Sequence, residues 1–412
     1  MKYNTYTLDN GLRIIHLPSD SKVVYCGYQI NAGTRDEEPG EEGLAHFCEH
    51  VTFKGTERRK AWHILNCLES VGGDLNAYTN KEGTVYYSAI LKEHIARAVD
   101  LLSDIVFHSV YPQAEIDKEV EVICDEIESY NDSPAELIYD EFENILFKDS
   151  SLGHNILGTA EQVRSFTTED ALRFTRKLYR PDNAIFFAYG DIDFKKLVKL
   201  VGRALADDDS GKLAAEKIPK NYPSVGEEIA GQTIVMQKNT HQAHVMIGTR
   251  AYDVNDDRRM PLYLLNNILG GPGMNAKLNL ALREHNGLVY TVESTMVAYG
   301  DTGTWSIYFG CDEHDIKRCL RLVRKELDRM MEKPLSDSQL KAAKKQIKGQ
   351  IGVACDNREN FALDFGKSFL HYGWEKNVDC LYEQVEAITS QQIQDVAREL
   401  FDKNRLITLI FK

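Results

Sequence analysis

The sequence of 412 residues predicts an α+β protein of two structurally similar domains, each a mostly antiparallel sheet layered with helices. Strand-like and helix-like segments follow one another in the same order in both halves of the chain. Matching glycines and prolines support an internal duplication, since Gly55 and Gly271 lie 216 residues apart and Pro112 and Pro334 lie 222 residues apart. This period is far too long for a solenoid of short repeats.

The first half begins with two strand-like runs and continues into a long acidic helix. Apolar residues at strand or helix spacing predict each element, and the glycine at position 83 predicts the turn of a hairpin. The predicted elements are strands at 12–17 and 23–32, helices at 43–53 and 62–71, a hairpin over 74–91, and helices at 93–110 and 114–130.

The second half repeats this order after a polar linker, which we predict at residues 207–228 from two prolines, two glycines and an acidic run. We therefore expect one domain to span residues 1–215 and the other to span 216–412. The predicted elements are strands at 233–237 and 244–249, helices at 258–269 and 276–285, a hairpin over 288–310, and helices at 313–331 and from 336 onward.

The charge balance argues against partners that carry many negative charges. Lys and Arg total 49 and Asp and Glu total 63, so the formal net charge is −14. An acidic surface repels phosphate backbones and anionic lipids, and we therefore expect neither nucleic acid nor a membrane as a partner. Hydrophobic residues make up 43% of the chain, which is ordinary for a globular protein.

The N-terminal segment and the cysteines indicate a reducing compartment. The first twenty residues contain no unbroken apolar stretch followed by a small-residue cleavage site, so we expect no signal peptide. The eight cysteines form no Cys-x-x-Cys pair, which favours buried thiols over disulfides. We expect a cytoplasmic location, and we expect Cys48 and Cys124 to lie in the core.

Three titratable residues share one face of the helix predicted at 43–53. At about 100° per residue, His46, Glu49 and His50 lie within one arc, and the two imidazoles are one turn apart, about 6 Å along the axis. A zinc hydrolase needs this pattern, because neutral imidazoles bind the metal and a nearby carboxylate takes a proton from bound water. A solvated polar face is the simpler alternative. The apolar residues of the opposite face are Leu44, Phe47, Cys48 and Val51.

A third metal ligand is expected from the acidic helix at 114–130. Glu119 and Glu126 are seven residues apart, so they lie about 20° apart on the helix, both at one border of its apolar stripe. At such a half-buried border a carboxylate can meet a metal that another helix holds. Periodicity selects these two glutamates from the many acids of the helix but does not say which one binds.

The motif His46-Phe-Cys-Glu-His50, followed 75 residues later by Glu126, resembles the pitrilysin/insulinase family of zinc peptidases, which includes the mitochondrial processing peptidase. The resemblance implies one zinc ion per chain with His46, His50 and Glu126 as ligands. It also implies that Glu49 is the general base and that Glu119 supports the metal site. The other histidines, His154 among them, have no partner spacing, and we expect no role for them.

The segment Gly72-Gly-Asp-Leu-Asn-Ala-Tyr-Thr79 also resembles the family, in which the Asn-Ala pair lies on a sheet edge beside the metal. The resemblance implies that Asn76 and Ala77 hydrogen-bond the substrate backbone. An edge strand suits this role because its unpaired N–H and C=O groups can pair with an extended peptide. Without the resemblance we would favour an interior hairpin strand.

The second half resembles the metal-free domain of the family through Leu282-Arg-Glu-His-Asn-Gly-Leu-Val-Tyr290. The resemblance implies that Arg283 binds a peptide carbonyl and that Tyr290 donates to the substrate carbonyl. An arginine near a capped helix end and a tyrosine in a core are the alternatives. One departure is Ala-Lys at 276–277, where the family often has Ser-Arg. The residues at the positions that match the metal motif are Leu262, Leu265 and Asn266.

We expect a zinc endopeptidase that cleaves peptides or unfolded segments. The resemblance implies that paired chains enclose a chamber, either as a homodimer or as a heterodimer with a metal-free homologue. Two alternatives stay open: a non-catalytic or partner-dependent subunit of a heterodimeric peptidase, and a presequence-type processing peptidase. An intact Glu49 argues against a purely structural metal, which has no use for a base.

Overall fold

The structure is a computed structural model that describes residues 1–206, 222, 225, 226 and 231–412. Within these residues eleven strands form two sheets. The strands are β1 (Asn4–Thr7), β2 (Arg13–Pro18), β3 (Val23–Ile30), β4 (Asp74–Thr79), β5 (Thr84–Leu91), β6 (Ala184–Gly190), β7 (Thr233–Met236), β8 (Ala243–Ala251), β9 (Val289–Ala298), β10 (Gly303–Cys311) and β11 (Ile407–Phe411).

Fourteen α-helices accompany the strands in the same described ranges, together with one π-helical segment at Asn279–Glu284. The helices are α1 (Leu44–Thr52), α2 (Ala61–Glu69), α3 (Ile95–Phe107), α4 (Gln113–Asn131), α5 (Pro134–Leu146), α6 (Ala160–Ser165), α7 (Thr168–Leu178), α8 (Phe194–Ala204), α9 (Arg259–Gly270), α10 (Ile316–Glu332), α11 (Asp337–Ala354), α12 (Arg358–Tyr372), α13 (Val378–Ala387) and α14 (Ser390–Leu400).

The two sheets have one topology. The first has the strand order β1-β2-β6-β3-β5-β4, and only the β2–β6 pair is parallel. The second has the order β7-β11-β8-β10-β9, and only the β7–β11 pair is parallel. Apart from β1, each strand of the first sheet has a counterpart in the second at the same place. The predicted fold class, two similar α+β domains from a duplication, is confirmed.

The chain forms two compact units, and each unit takes one helix from the other half of the sequence. The first unit comprises residues 1–128, 154–223 and 354–377, and the second comprises 129–153, 224–353 and 378–412. Helix α5 thus belongs to the second unit and α12 to the first. The predicted linker at 207–228 lies outside the described residues, apart from residues 222, 225 and 226, and so does the predicted boundary between residues 215 and 216.

In the first unit, α12 explains why strand β6 is apolar throughout. Phe186 and Ala188 of β6 pack into the core together with α1 and α3. The intervening side chain of Phe187 faces the other side of the sheet, where its ring lies 6.4 Å from that of Phe365 in α12. Since β6 is buried on both faces, it shows no polar alternation.

In the second unit, α5 covers one face of the sheet. Leu137 and Phe142 of α5 lie in one buried cluster with Met246 of β8 and Leu409 of β11. The exchanged helices therefore play equivalent parts in the two units, each closing one side of a sheet. In the part of the chain that the structure describes, no helix is both long enough and apolar enough to cross a membrane.

The helix predicted at 276–285 differs in kind from the expectation. The segment is π-helical over Asn279–Glu284, with the N–H of His285 donating to the carbonyl of Leu280 at 3.0 Å, five residues earlier. The side chain of Asn279 donates to the carbonyl of Met274, which ties the start of the segment to the preceding turn. Periodicity at 3.6 residues per turn does not anticipate this wider turn, which often occurs at functional sites.

Candidate metal centre

Helix α1 begins at a buried acidic cap. The backbone N–H groups of Gly43 and Ala45 donate to the carboxylate of Glu37 at 3.1 and 2.8 Å, and His154 Nε2 lies 2.8 Å from the same carboxylate. A negative charge stabilises a helix N-terminus, so Glu37 fixes the start of the helix that carries the motif. Gly43 has φ +96°, a conformation that favours glycine. We predicted no role for His154 and did not single out Glu37.

The four apolar residues of α1 face the core, as predicted. Leu44, Phe47, Cys48 and Val51 are completely buried, whereas His46, Glu49 and His50 lie on the opposite face. Cys124 is also buried, in agreement with its predicted place in the core. The apolar packing of α1 therefore sets the direction in which its titratable side chains point.

His46, His50 and Glu126 come together at one place in the first unit. His50 Nε2 lies 3.3 Å and His46 Nε2 lies 3.8 Å from Glu126 Oε2, and the three candidate ligand atoms all lie within 4.8 Å of one another. Two ligands at about 2.1 Å from one tetrahedral zinc ion are about 3.4 Å apart, so these separations fit a shared ion. Glu126 comes from α4, and its side chain is 46% exposed.

Glu119 orients the ring of His50. Its Oε1 lies 3.0 Å from His50 Nδ1, so an Nδ1–H donor leaves the lone pair of Nε2 directed to Glu126. The other carboxylate oxygen of Glu119 accepts from Lys54 Nζ at 2.5 Å. The structure thus distinguishes the two glutamates of α4 that periodicity left equivalent. The contact of Lys54, two residues after the end of α1, was not predicted.

The His46 ring is held differently. Its Nδ1 is buried and has no hydrogen-bond partner among the residues that the structure describes. Its Nε2 is the nitrogen that faces Glu126, and the ring centroid lies 4.6 Å from that of His50. Packing rather than a polar partner therefore fixes the orientation of His46.

The pKa values of these groups reflect burial and close charges. Burial lowers the pKa of His46 to about 4, and the neighbouring His50 ring adds to the effect. Burial opposes protonation of His50, but the hydrogen bonds to Glu119 and Glu126 prevail and raise its pKa to about 9. Burial acts to raise the pKa of Glu119, yet hydrogen bonds from His50 and Lys54 lower it overall. The hydrogen bond with His50 is the main cause that lowers the pKa of Glu126.

Glu49 is a buried carboxylate beside these groups, with 9% of the residue exposed. Burial raises its pKa, and the hydrogen bond that Thr79 Oγ1 donates to Glu49 Oε2 at 2.6 Å acts in the opposite direction. A carboxyl group whose pKa is raised toward neutrality suits general acid–base work. Sequence reasoning placed Thr79 in a family-like segment but gave it no contact.

Asn76 and Ala77 lie in strand β4, at the end of the first sheet. This strand pairs with β5 alone, opposite Tyr87 and Tyr86, and no second neighbouring strand occurs within the described ranges. The edge position agrees with the resemblance rather than with the interior strand that we weighed against it. Binding of a peptide by Asn76 and Ala77 stays a prediction.

Arg283 and Tyr290 lie side by side in the second unit. Arg283 belongs to the π-helical segment and Tyr290 is the second residue of β9, and the guanidinium carbon lies 5.5 Å from the tyrosine ring centroid. Tyr290 is 82% exposed, which is unusual for so large a side chain and rules out the core tyrosine that we considered. Their contact with a substrate stays a prediction.

Helix α9 occupies the place in the second unit that α1 occupies in the first. Leu262 and Leu265 are fully buried in it, and Asn266 donates to the carbonyl of Ser294. These three residues, which match the metal motif by offset, therefore serve packing and strand attachment.

Two family models match the chain in succession. The model described as insulinase, peptidase family M16, matches residues 14–160, and the model described as the peptidase M16 inactive domain matches residues 165–347. Among curated relatives, an uncharacterized zinc protease of Streptomyces coelicolor is 32% identical over 98% of this chain and 88% of its own length. The uncharacterized zinc protease YmxG of Bacillus subtilis is 31% identical, over 98% and 97%.

Solved structures share the whole fold. A protease from Helicobacter pylori matches with a TM-score of 0.87 at 20% identity, covering 100% of this chain and 99% of its own. A peptidase M16 inactive domain from Pseudomonas fluorescens matches with a TM-score of 0.88 at 16% identity, covering 100% and 98%.

A duplicated α+β fold that carries His-x-x-Glu-His on a helix, with a glutamate from a second helix beside it, belongs to the class of inverted zincins. This chain is a member of the insulinase, or pitrilysin, family of peptidases, family M16. Its relatives are named zinc proteases, and this supports a peptidase role and zinc as the metal.

Proposed function

We propose that this protein is a zinc-dependent endopeptidase that hydrolyses peptides or unfolded polypeptide segments. The observation that carries the proposal is the convergence of His46, His50 and Glu126 within 4.8 Å, with the buried Glu49 on the same helix face. Two neutral imidazoles and a carboxylate are the donor set of many catalytic zinc sites, which keep one position open. One zinc ion per chain follows, because α9 lacks the corresponding ligands.

The residues of the first unit divide the work of peptide hydrolysis. His46, His50 and Glu126 would hold the ion, and Glu119 would keep the His50 ring in its binding orientation. Zinc, when bound, lowers the pKa of a bound water toward about 7 and polarises the scissile carbonyl. Glu49 would accept the proton of that water and deliver it to the nitrogen of the leaving amine, which departs neutral.

Strand β4 supplies a place for the substrate backbone. An extended peptide added along its unpaired edge would hydrogen-bond Asn76 and Ala77, which gives affinity with little dependence on side chains. In the second unit, Arg283 would bind a peptide carbonyl and Tyr290 would donate to the carbonyl under attack. The exposure of Tyr290 and its position beside the guanidinium support this assignment.

We propose further that two chains pair to enclose the substrate, as the resemblance implies. A homodimer is the first choice, because one chain carries both the metal motif and the Arg–Tyr pair. A heterodimer with a metal-free homologue is the second. The mass in solution, measured by light scattering during size-exclusion chromatography, distinguishes a monomer from a dimer, and activity of the purified chain alone argues against an obligatory second partner.

The other candidate is a non-catalytic or partner-dependent subunit. The match of residues 165–347 to a model described as an inactive domain agrees with it. Glu49 favours the enzyme, since a subunit that uses its metal only for structure needs no base. Presequence-type processing differs only in substrate, and cleavage of basic amphipathic peptides compared with acidic ones tests it.

The decisive experiment compares the purified protein with Glu49→Gln and His50→Ala. We expect wild type and Glu49→Gln to bind about one zinc per chain by elemental analysis, and His50→Ala to bind much less. Only the wild type should cleave an unfolded peptide, and a chelator should abolish this cleavage. Equal cleavage by wild type and Glu49→Gln would remove the assigned base, and a zinc-loaded but inactive wild type would favour the non-catalytic subunit.

A further inference from the structure

Thr79 connects the edge strand of the first sheet with the carboxylate of Glu49. Its hydroxyl donates to Glu49 Oε2 at 2.6 Å, a length typical of O–H donors on ionised carboxylates. Among the described residues, this is the one hydrogen bond to the Glu49 carboxylate. The contact joins two elements that are 30 residues apart in the sequence.

The alternation of side chains along β4 explains why Thr79 reaches Glu49. Residues at every second position of a strand share one face. Leu75 and Ala77 of this face pack against the core that includes α1, and Thr79 is the next residue on the same face. Because it is the last residue of the strand, opposite Thr84, its hydroxyl extends from the end of that apolar row.

We propose that Thr79 is a positioning residue, which holds the Glu49 carboxylate in its working orientation and couples that orientation to the strand that binds the peptide. This inference rests on the proposed function. It adds a residue that acts through Glu49 and touches neither the metal ligands nor, by its side chain, the substrate.

The side-chain chemistry of the two residues fits this role. A glutamate has three rotatable bonds, and a free one samples many orientations, whereas threonine is β-branched and stiff at χ1. A single hydrogen bond from a rigid strand therefore fixes one carboxylate oxygen of Glu49 and leaves Oε1 to accept a proton. A peptide aligned on Asn76 and Ala77 would then keep a constant register with the base, since Thr79 is two residues farther along the same strand.

The test compares Thr79→Val with Thr79→Ser. Valine keeps the β-branched shape but removes the donor, and serine keeps the donor. With an unfolded peptide as substrate, we expect Thr79→Val to lower kcat at least tenfold, with KM within twofold of wild type. We expect Thr79→Ser to recover kcat to within threefold. Zinc content, measured by elemental analysis, should stay at the wild-type value in both variants because the ligands are untouched.

Two further variants separate positioning from a structural effect. Thr84→Val removes a buried threonine hydroxyl that donates to the carbonyl of Ala32 at 2.8 Å, so it is a matched control on the neighbouring strand. We expect it to lower the melting temperature without lowering kcat tenfold. In the Glu49→Gln background, Thr79→Val should cause no further loss, because a residue that acts through Glu49 has nothing left to position.

The outcomes distinguish this inference from the proposed function. Wild-type kcat in a zinc-loaded Thr79→Val variant overturns the role of Thr79 and leaves the peptidase intact, and so does an equal loss in Thr79→Val and Thr84→Val. Loss of zinc in Thr79→Val also overturns it, in favour of a structural role. If Thr79→Val does not fold, Thr79→Ala gives the same comparison with a smaller side chain. An inactive wild type would instead overturn the proposed function itself.

Discussion

Lys54 forms a close ion pair with Glu119, the carboxylate that orients His50, with Nζ and Oε2 2.5 Å apart. The ammonium group lies at the far end of a chain of contacts that runs from Lys54 through Glu119 to His50 and then to Glu126. A group two contacts removed from the candidate ligands thus helps to keep Glu119 ionised and in place. Outer partners of this kind contribute to metal affinity because they fix the direction of the ligand lone pair.

We predict that Lys54→Met weakens zinc binding about tenfold, the lower end of the range typical for outer partners of metal ligands. The measurement is competition with a chelator of known affinity. Lys118→Met is the matched control, since Lys118 pairs with Glu115 at the exposed surface of the same helix, α4. Unchanged zinc affinity in Lys54→Met, or equal weakening in both variants, would contradict the prediction.

The buried cap of α1 leads to a prediction about stability. Glu37→Gln places an amide against backbone donors and should destabilise the first unit by about 1.5–3 kcal/mol, the usual range for hydrogen bonds to charged groups. Glu38→Gln is the control, because Glu38 makes only a surface pair with Lys177 and should change stability by less than about 1 kcal/mol. Thermal unfolding followed by circular dichroism measures both, and equal melting temperatures for the two variants would refute the role of the cap.

His16 should make the stability of the first unit depend on pH. Its Nε2 lies 3.1 Å from the carbonyl oxygen of Gly190, its ring stacks on Phe194, and burial lowers its pKa below the ordinary value of 6.5. The unfolded chain therefore binds a proton more readily than the folded one. Stability from this residue is complete above about pH 7 and decreases as the pH falls below about 6.5.

The matching measurement is the melting temperature between pH 5 and pH 7.5. His16→Gln should flatten this dependence, whereas His314→Gln, a change at an exposed histidine, should leave it as in wild type. A decrease of the same size in wild type and His16→Gln would show that other groups cause it.

The Arg–Tyr pair of the second unit should affect catalysis without affecting metal binding. Lysine cannot reproduce the planar fork of arginine, so we predict that Arg283→Lys lowers kcat/KM about tenfold, or about 1.4 kcal/mol. Zinc content should not change. Arg318→Lys, at an arginine that hydrogen-bonds Asn286, is the control on the same unit. Wild-type kcat/KM in Arg283→Lys would remove this residue from substrate binding.

The sequence contained the local part of the candidate site. The positions of His46, Glu49 and His50 on one helix face follow from the period of the helix and the apolar stripe opposite them. The shared face of Glu119 and Glu126 follows from their spacing in the same way. These predictions succeed because each depends on neighbours within a few turns of one helix.

Contacts between distant segments could not be predicted in this way. Glu37 and His154, or Thr79 and Glu49, meet only after the chain has folded, and neither pair has a characteristic spacing. The exchange of α5 and α12 is a similar case, because amphipathicity shows which side of a helix is buried but not which sheet covers it. Strand β6 could have been recognised from its unbroken apolar run, though its parallel pairing with β2 could not.

The place of α12 in the first unit has a consequence for biosynthesis. The ring of Phe187 finds its partner Phe365 only when residue 365 has left the ribosome, almost at the end of translation. Until then, a nascent chain that already contains the whole metal motif exposes an aromatic sheet face to the cell. The chain is thus most vulnerable to aggregation and to chaperone capture late in its synthesis, and a truncated messenger would yield a product that is unable to mature.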